Sequence, residues 1–259
     1  MNAPGLSKNK LKYLRALRQK KYRQKYDKFI VEGDKIAREF LLQQRYGIEW
    51  IIALPHWVET HQKLLQVHFN KTLTVSEAEL QQISLLHTPN QVLLVADRFS
   101  WSLDPERLGR GLSLYLDGIR DPGNLGTIIR IADWFGLDYI FCSPDCVEEY
   151  MPKVVQSAMG ALLRVPVLQR ELAELRALQP HLPICGTVLD GDNVFEQPLP
   201  KAALLVVGNE SRGVSAAVRE QLTQRLRIPA HLGGGAESLN AAVATGIFCA
   251  QFRHRPRTQ

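Results

Sequence analysis

Three short segments of this 259-residue chain gather the residue types that ligand binding and catalysis use. The first is Leu116-Asp117-Gly118-Ile119-Arg120-Asp121-Pro122-Gly123-Asn124-Leu125-Gly126-Thr127-Ile128-Ile129-Arg130. The second is Val206-Val207-Gly208-Asn209-Glu210-Ser211-Arg212-Gly213-Val214. The third runs from Ile228-Pro229-Ala230-His231 through a triple glycine to Glu237-Ser238-Leu239-Asn240-Ala241. Each begins with an apolar run, crosses glycines and small polar residues, and in most cases enters a helix. A helix N-terminus behind a glycine turn attracts anions, phosphate included. Arg130 lies six residues after Asn124, nearly two helical turns on, which predicts a position near the same face. Set among Ile128, Ile129, Ile131 and Ala132, Arg130 reads either as a site cation or as a structural ion-pair partner. Gly208 ends a strand where a backbone approaches a ligand closely. Glu210 reads as a site carboxylate or a solvated one, and Ser238 as a site hydroxyl or a helix cap.

Several familiar chemistries are excluded. No G-x-G-x-x-G follows the first strand of either half, and there is no Walker pattern, G-x-S-x-G elbow or H-E-x-x-H. The seven histidines form no ligand cluster, so no metal is expected. Cys142, Cys146, Cys185 and Cys249 follow no zinc or disulfide spacing and fit reduced thiols in a cytoplasm. No run approaches the roughly 18 apolar residues of a membrane span, and the basic N-terminus lacks a signal-peptide core.

The three loops meet only if their strands run parallel, because in an open α/β sheet ligands bind beyond the carboxyl ends of the strands. Apolar runs predict strands at 112–117, 137–142, 184–189, 203–207 and 225–228, with a weaker one at 163–168. Helices are predicted at 124–135, 150–159, 170–179, 215–223 and 237–252. The run Ala202–Val207 suits a parallel strand buried on both faces. Before this half, strands around Phe29–Val31, Ile48–Leu54, Thr72–Val75 and Gln91–Ala96 alternate with helices, one of them capped by Ser76. That alternation argues for a small α/β domain. The predicted division is residues 1–97, a linker at 98–111, and 112–259.

The formal charge of +6 is unevenly spread. Residues 1–28 hold ten cations and Asp27, a net +9, so the remainder sums to −3. Leu11, Leu14, Leu17, Tyr22 and Tyr26 recur between the cations at roughly helical spacing. One face therefore docks, while Lys8, Lys10, Lys12, Arg15, Arg18, Lys20, Lys21 and Arg23 either grip an RNA backbone or form a solvated face.

The ordered set N-L-G-x-x-x-R, G-N-E-x-x-G and I-P…E-S-L-N-x-A-x-A resembles the three motifs of the SpoU (TrmH) RNA ribose 2'-O-methyltransferases, in the SPOUT superfamily, across residues 112–252. The segment K-x-R-Q-K-Y-D-K-F-I-V-E-G-D-K resembles a fused substrate-binding domain similar to small RNA-binding ribosomal proteins. The resemblance implies a parallel-sheet domain threaded into a trefoil knot. It implies S-adenosylmethionine held against the loops at Gly208, Ile228 and Leu239, and a homodimer with the site near its interface. It assigns Asn124, Arg130, Glu210, Ser238 and Asn240 to the active site, with Arg130 activating the ribose hydroxyl and Ser238 and Asn240 orienting it. Arginine stays protonated in proteins and is a poor general base, which leaves two routes: its field lowers the hydroxyl pKa while a phosphate or water takes the proton, the preferred one, or a buried site perturbs the arginine far more than usual. Ala230 stands where the family often has Met, and the glycine-rich loop is a little long. Ribosomal RNA is the expected substrate; a tRNA methyltransferase and a non-catalytic ribosome-assembly factor are the alternatives. The intact polar set speaks against the non-catalytic one.

Overall fold

The computed structural model describes residues 5–86, 88–231, 233 and 235–254. The chain forms two compact units, Met1–Phe99 with Glu148–Gly160, and Ser100–Val147 with Ala161–Gln259.

The first unit begins with α1 (Lys8–Ala16) and α2 (Lys20–Tyr26), then β1 (Lys28–Glu32) and α3 (Asp34–Gln43). It continues through β2 (Ile48–Ala53), α4 (Pro55–Thr60), α5 (Gln62–Leu65), β3 (Thr72–Thr74), α6 (Glu77–Ile83) and β4 (Val92–Asp97). The sheet order is β1-β4-β2-β3; β4 is antiparallel to β1 and β2, and β3 is parallel to β2. The basic N-terminal segment is two helices. Part of its apolar face docks: Leu14 and Leu17 are fully buried with Ile30, Ile52, Leu80, Leu93 and Val95, Leu11 and Tyr22 are half-buried, and Tyr26 is exposed. Ser76 caps α6 in a reciprocal capping box with Glu79.

The chain then runs through α7 (Pro105–Arg110), β5 (Leu112–Asp117), α8 (Pro122–Phe135), β6 (Ile140–Cys142) and α9 (Pro152–Ala158), the last in the first unit. After these come β7 (Val167–Gln169), α10 (Leu172–Leu178), β8 (Ile184–Asn193), β9 (Ala203–Gly208), α11 (Ala216–Arg219), β10 (Gln224–Arg227) and α12 (Ala241–Arg253). The six strands of the second unit are all parallel, in the order β10-β8-β9-β5-β6-β7. β5 is buried along its whole length and β9 along its first five residues. Their apolar runs are what a sheet covered on both faces requires. Residues 98–111 are more than a linker: Asp104 and Pro105 start α7, Leu108 is fully buried, and Trp101 and Leu103 pack on the same core. The weak strand expected at 163–168 is a turn of 3-10 helix over Ala161–Leu163 followed by β7.

Helices α8 and α12 lie side by side and run in the same direction. Asn240 at the start of α12 bonds Asn124 at the start of α8. A Cβ on Gly246 would meet Ile131 at 3.7 Å. Arg253 donates to the carbonyl of Gly136, which caps α8, at 2.6 Å. Both N-termini, with the positive ends of both helix dipoles, therefore share one end of the unit.

Candidate active site

The parallel sheet sets Asp117, the last residue of β5, directly opposite Gly208, the last residue of β9. The first two motif loops thus leave from adjacent strand ends. In the first, Asp121 accepts from the backbone N–H of Asn124 at 2.8 Å and caps α8. Gly118 has φ +72°, a left-handed conformation that favours glycine. Its N–H donates to Ser143 Oγ at 2.9 Å, and its carbonyl accepts from Asn209 Nδ2 at 2.7 Å.

Asn209 belongs to the second loop. Besides Gly118, its amide leans on Glu210 Oε2 at 3.3 Å. Its Oδ1 accepts from the N–H groups of Ser211 and Arg212 at 3.0 and 3.2 Å. A Cβ on Gly208 would lie 2.3 Å from Gly213, so this glycine is required by its own loop folding back, where Asn209 pairs with Gly213. The close backbone approach expected at Gly208 is therefore one of loop to loop.

The third loop enters through Asn240. Its Oδ1 accepts from Ala242 and Val243 N–H at 2.9 and 3.3 Å, so α12 is capped by Asn240 and begins later than the helix expected from residue 237. Its Nδ2 donates to Asn124 Oδ1 at 2.9 Å. Asn124 Nδ2 in turn donates to Glu210 Oε1 at 2.7 Å. A continuous hydrogen-bonded chain, Asn240–Asn124–Glu210–Asn209–Gly118, joins all three motif loops across more than a hundred residues of sequence. Because each member holds the next, deleting one disturbs more than a single pair.

Three of the five expected active-site residues, Asn124, Glu210 and Asn240, are brought together. Arg130 and Ser238 are exposed and, among the described residues, hydrogen-bond to neither each other nor this network. The reason for Arg130 is helical geometry: six residues turn the side chain by roughly 240°, not a whole number of turns. The helix buries Leu125, Ile128, Ile129 and Ala132, and Arg130 leaves on the open side with Trp134. The ion-pair reading of Arg130 fails as well, since no described carboxylate reaches it. Ile228 is half-buried and Leu239 exposed. Asn209 is the member that sequence reasoning did not single out, although it stood inside the second motif.

Cys146 accompanies this edge. It donates to the Leu116 carbonyl at 3.2 Å, beside Ser143. Its thiol is brought down to about 7 by hydrogen bonding with Cys142, against the upward push of burial, with Ser143 and the backbone at Ile119 and Gly118 assisting.

In the first unit, the eight expected RNA-binding cations divide. Arg23 is 2% exposed. It donates to the Leu17 and Arg18 carbonyls at 2.9 and 2.8 Å and makes a two-point pair with Glu148 at 3.3 and 2.7 Å. It is a structural residue and cannot reach a phosphate. Arg15 and Arg18 hold carbonyls at the C-terminus of α6, where a cation complements the dipole. Lys10 lies 5.1 Å over the Trp50 ring. Lys8, Lys12, Lys20 and Lys21 stay exposed.

The SpoU rRNA methylase family model matches residues 111–250, more than half of the chain, and an MRM3-like substrate binding domain model matches residues 8–94. The chain belongs to the SpoU rRNA methylase family. It is 32% identical over 255 residues to the 23S rRNA (guanosine(2553)-2'-O)-methyltransferase RlmP of Bacillus subtilis (strain 168), across 94% of this chain and 96% of the relative. The AdoMet-bound rRNA methyltransferase of Sinorhizobium meliloti matches with a TM-score of 0.84 and 27% identity, over 96% of this chain and 95% of that one. AviRb, a SpoU methyltransferase of Streptomyces viridochromogenes in complex with AdoMet, shares the fold at a TM-score of 0.81 and 23% identity, over 95% and 97%. The SpoU match spans all three motif loops, and the substrate-binding match spans the basic helices. No helix among the described residues is long and apolar enough to cross a membrane.

Proposed function

We propose that this SpoU family member transfers a methyl group from S-adenosylmethionine to a ribose 2'-hydroxyl of ribosomal RNA. The observation that carries the reading is the network Asn240–Asn124–Glu210–Asn209–Gly118, which ties the three family motifs at the C-terminal edge of one parallel sheet. The relatives' names and the substrate-binding match favour ribosomal RNA over tRNA.

The residues present suit the cofactor. Among the described residues, 228–231, 233 and 235–239 make no backbone–backbone hydrogen bond, so their N–H and C=O groups are open to a polar ligand. Ile228 and Leu239 offer apolar surface beside it, and Gly208 ends β9 on the far side of β8. Bound there, S-adenosylmethionine supplies a methyl group on an electron-poor sulfur. The chain's own task is to align the ribose oxygen with that methyl, which is a gain in orientation. The guanidinium of Arg130 lowers the hydroxyl pKa by its field, and a phosphate or water accepts the proton.

Arg130 and the network lie apart within one chain, which supports a homodimer with Arg130 at its interface. Trp134 is 85% exposed on α8 and Val243 53% exposed on α12, and these parallel helices provide an apolar face for a second copy. The return of the chain from edge strand β10 to α12, against α8 in the middle of the unit, supports the trefoil threading. A cytoplasmic location fits ribosomal RNA as substrate.

Transfer of tritiated methyl from S-adenosylmethionine to deproteinised ribosomal RNA tests the activity. We expect 2'-O-methyl nucleosides in the digest, and their absence with both rRNA and tRNA sinks the reading. Arg130→Ala is expected to abolish transfer while calorimetric cofactor binding is retained; undiminished turnover would remove Arg130 from its role. Light scattering at the mass of two chains tests the dimer, and Trp134→Lys is expected to split it.

A further inference from the structure

On the first unit, away from the motif loops in sequence, an open depression of about 570 Å³ is lined by Tyr13, Tyr26, Lys28, Glu49, Lys71 and Asp97. Its volume falls within the roughly 300–1,000 Å³ typical of small-molecule sites. Aromatic rings continue from it in a row. Tyr13 meets Tyr26 edge-on at 5.0 Å and Trp50 at 5.4 Å, and Tyr26 stacks with Tyr22 at 6.1 Å and 12°. Lysine ammonium groups lie along the row: Lys10 over Trp50, Lys21 over Tyr22 and Lys25 over Tyr26, at 5.1, 4.9 and 5.5 Å.

The lining itself holds both charges, Lys28 and Lys71 with Glu49 and Asp97. Glu49 takes the Tyr13 hydroxyl on Oε2 at 2.8 Å, and Asp97 takes Lys28 on Oδ1 at 2.8 Å. Among the described residues, Glu49 Oε1 and Asp97 Oδ2 accept no hydrogen bond, and Lys71 makes no ion pair. Two free carboxylate oxygens repel a phosphate but accept N–H donors. Cations over the aromatic rings that adjoin the depression suit a phosphate backbone, and its two tyrosines suit the face of a base. Single-stranded RNA is read in this way, with unstacked bases on aromatic rings and their edges bonded to polar side chains.

We infer that this depression is a subsite for one unstacked, amino-bearing nucleobase from a single-stranded stretch of the RNA. Adenine, guanine and cytosine present an exocyclic amino group to Glu49 and Asp97, whereas uracil offers one ring N–H flanked by two carbonyl oxygens that a carboxylate repels, and is disfavoured. The inference rests on the proposed action on ribosomal RNA and adds to it which part of the RNA this unit holds.

The test uses the full chain and labelled oligo(A), oligo(C) and oligo(U) RNA, with binding read by fluorescence anisotropy at fixed low salt. Oligo(A) and oligo(C) are expected to bind at least about tenfold more tightly than oligo(U), as one good hydrogen bond to a charged group provides. Tyr26→Ala is expected to weaken all three about tenfold, the loss of one stacked base, and Tyr26→Phe to restore them. Glu49→Gln, which keeps the side-chain shape, is expected to erase the preference over oligo(U). Equal affinity for all three oligomers, or wild-type binding by both Tyr26→Ala and Glu49→Gln, overturns the subsite. Methyl transfer to intact ribosomal RNA by the wild type is scored separately, so an active enzyme indifferent to these changes loses the subsite alone.

Discussion

One side chain, Asn209, holds two loops with five hydrogen bonds, and nothing in its immediate neighbours announces this. Its decisive partner, the Gly118 carbonyl, lies 91 residues away in sequence. Arg23 is similar: in sequence it is one more cation in a basic run, and in the structure it is the most deeply buried of them. Its guanidinium meets a carboxylate and two carbonyls, a fork that only arginine fills. Arg23→Ala leaves Glu148 charged and buried, and is expected to cost about 3–5 kcal/mol in chemical denaturation, with Arg23→Lys failing to restore it. Cys146 offers a pH test at this scale. Its thiol is held down to about 7 chiefly by hydrogen bonding with Cys142, whereas burial pushes Cys185 and Cys249 up to about 12. The thiolate is the reactive form, so reactivity rises with pH. Peptide mapping after brief iodoacetamide treatment is expected to find Cys146 alkylated first. Its rate should be half-maximal near pH 7 and fall below it, with Cys185 and Cys249 unmodified until the protein unfolds.

Elements were legible in sequence where their signals are local. The capping box of α6 spans three residues, and both Ser76 and Glu79 are visible at that spacing. The start of α12 was not legible, because Ser238 and Asn240 are both good caps and the choice depends on where the incoming loop releases the chain. The structure chooses Asn240, which also reaches Asn124. These two duties separate by substitution. Asn240→Asp keeps the capping oxygen and loses the Nδ2 donor, so thermal stability should stay within about 0.5 kcal/mol while methyl transfer falls. Asn240→Ala loses both, and is expected to add about 1 kcal/mol of destabilisation. Equal stability of the two variants would show that the cap is idle. Helix α7 was missed because six residues with one buried leucine, Leu108, show no apolar period. Arg130 was misjudged by counting turns along α8 rather than degrees around it.

At the scale of the whole molecule, the unevenness of charge survives, but its use is narrower than the count of ten cations suggested. Arg15, Arg18 and Arg23 are engaged with carbonyls or Glu148, and Leu14 and Leu17 build the core. Removing residues 1–28 would therefore unfold the first unit rather than strip off an arm. Replacing Lys8, Lys12, Lys20 and Lys21 by alanine is the cleaner test, since all four are exposed. The slope of log affinity for ribosomal RNA against log salt is expected to fall by about 0.7–0.9 for each lysine that meets a phosphate. Melting temperature and cofactor affinity should not move, and an unchanged slope would mean a solvated face. The sequence by itself determined the α/β class, the apolar strands and the three motifs, because these depend on residue type and short spacing. Only the tertiary structure decided that β5 and β9 are neighbours, that α8 and α12 run parallel, and that Asn124, Glu210 and Asn240 join while Arg130 stands apart. Strand order and contacts between distant loops are set by how the whole unit buries its apolar faces, a condition that no local window of sequence contains.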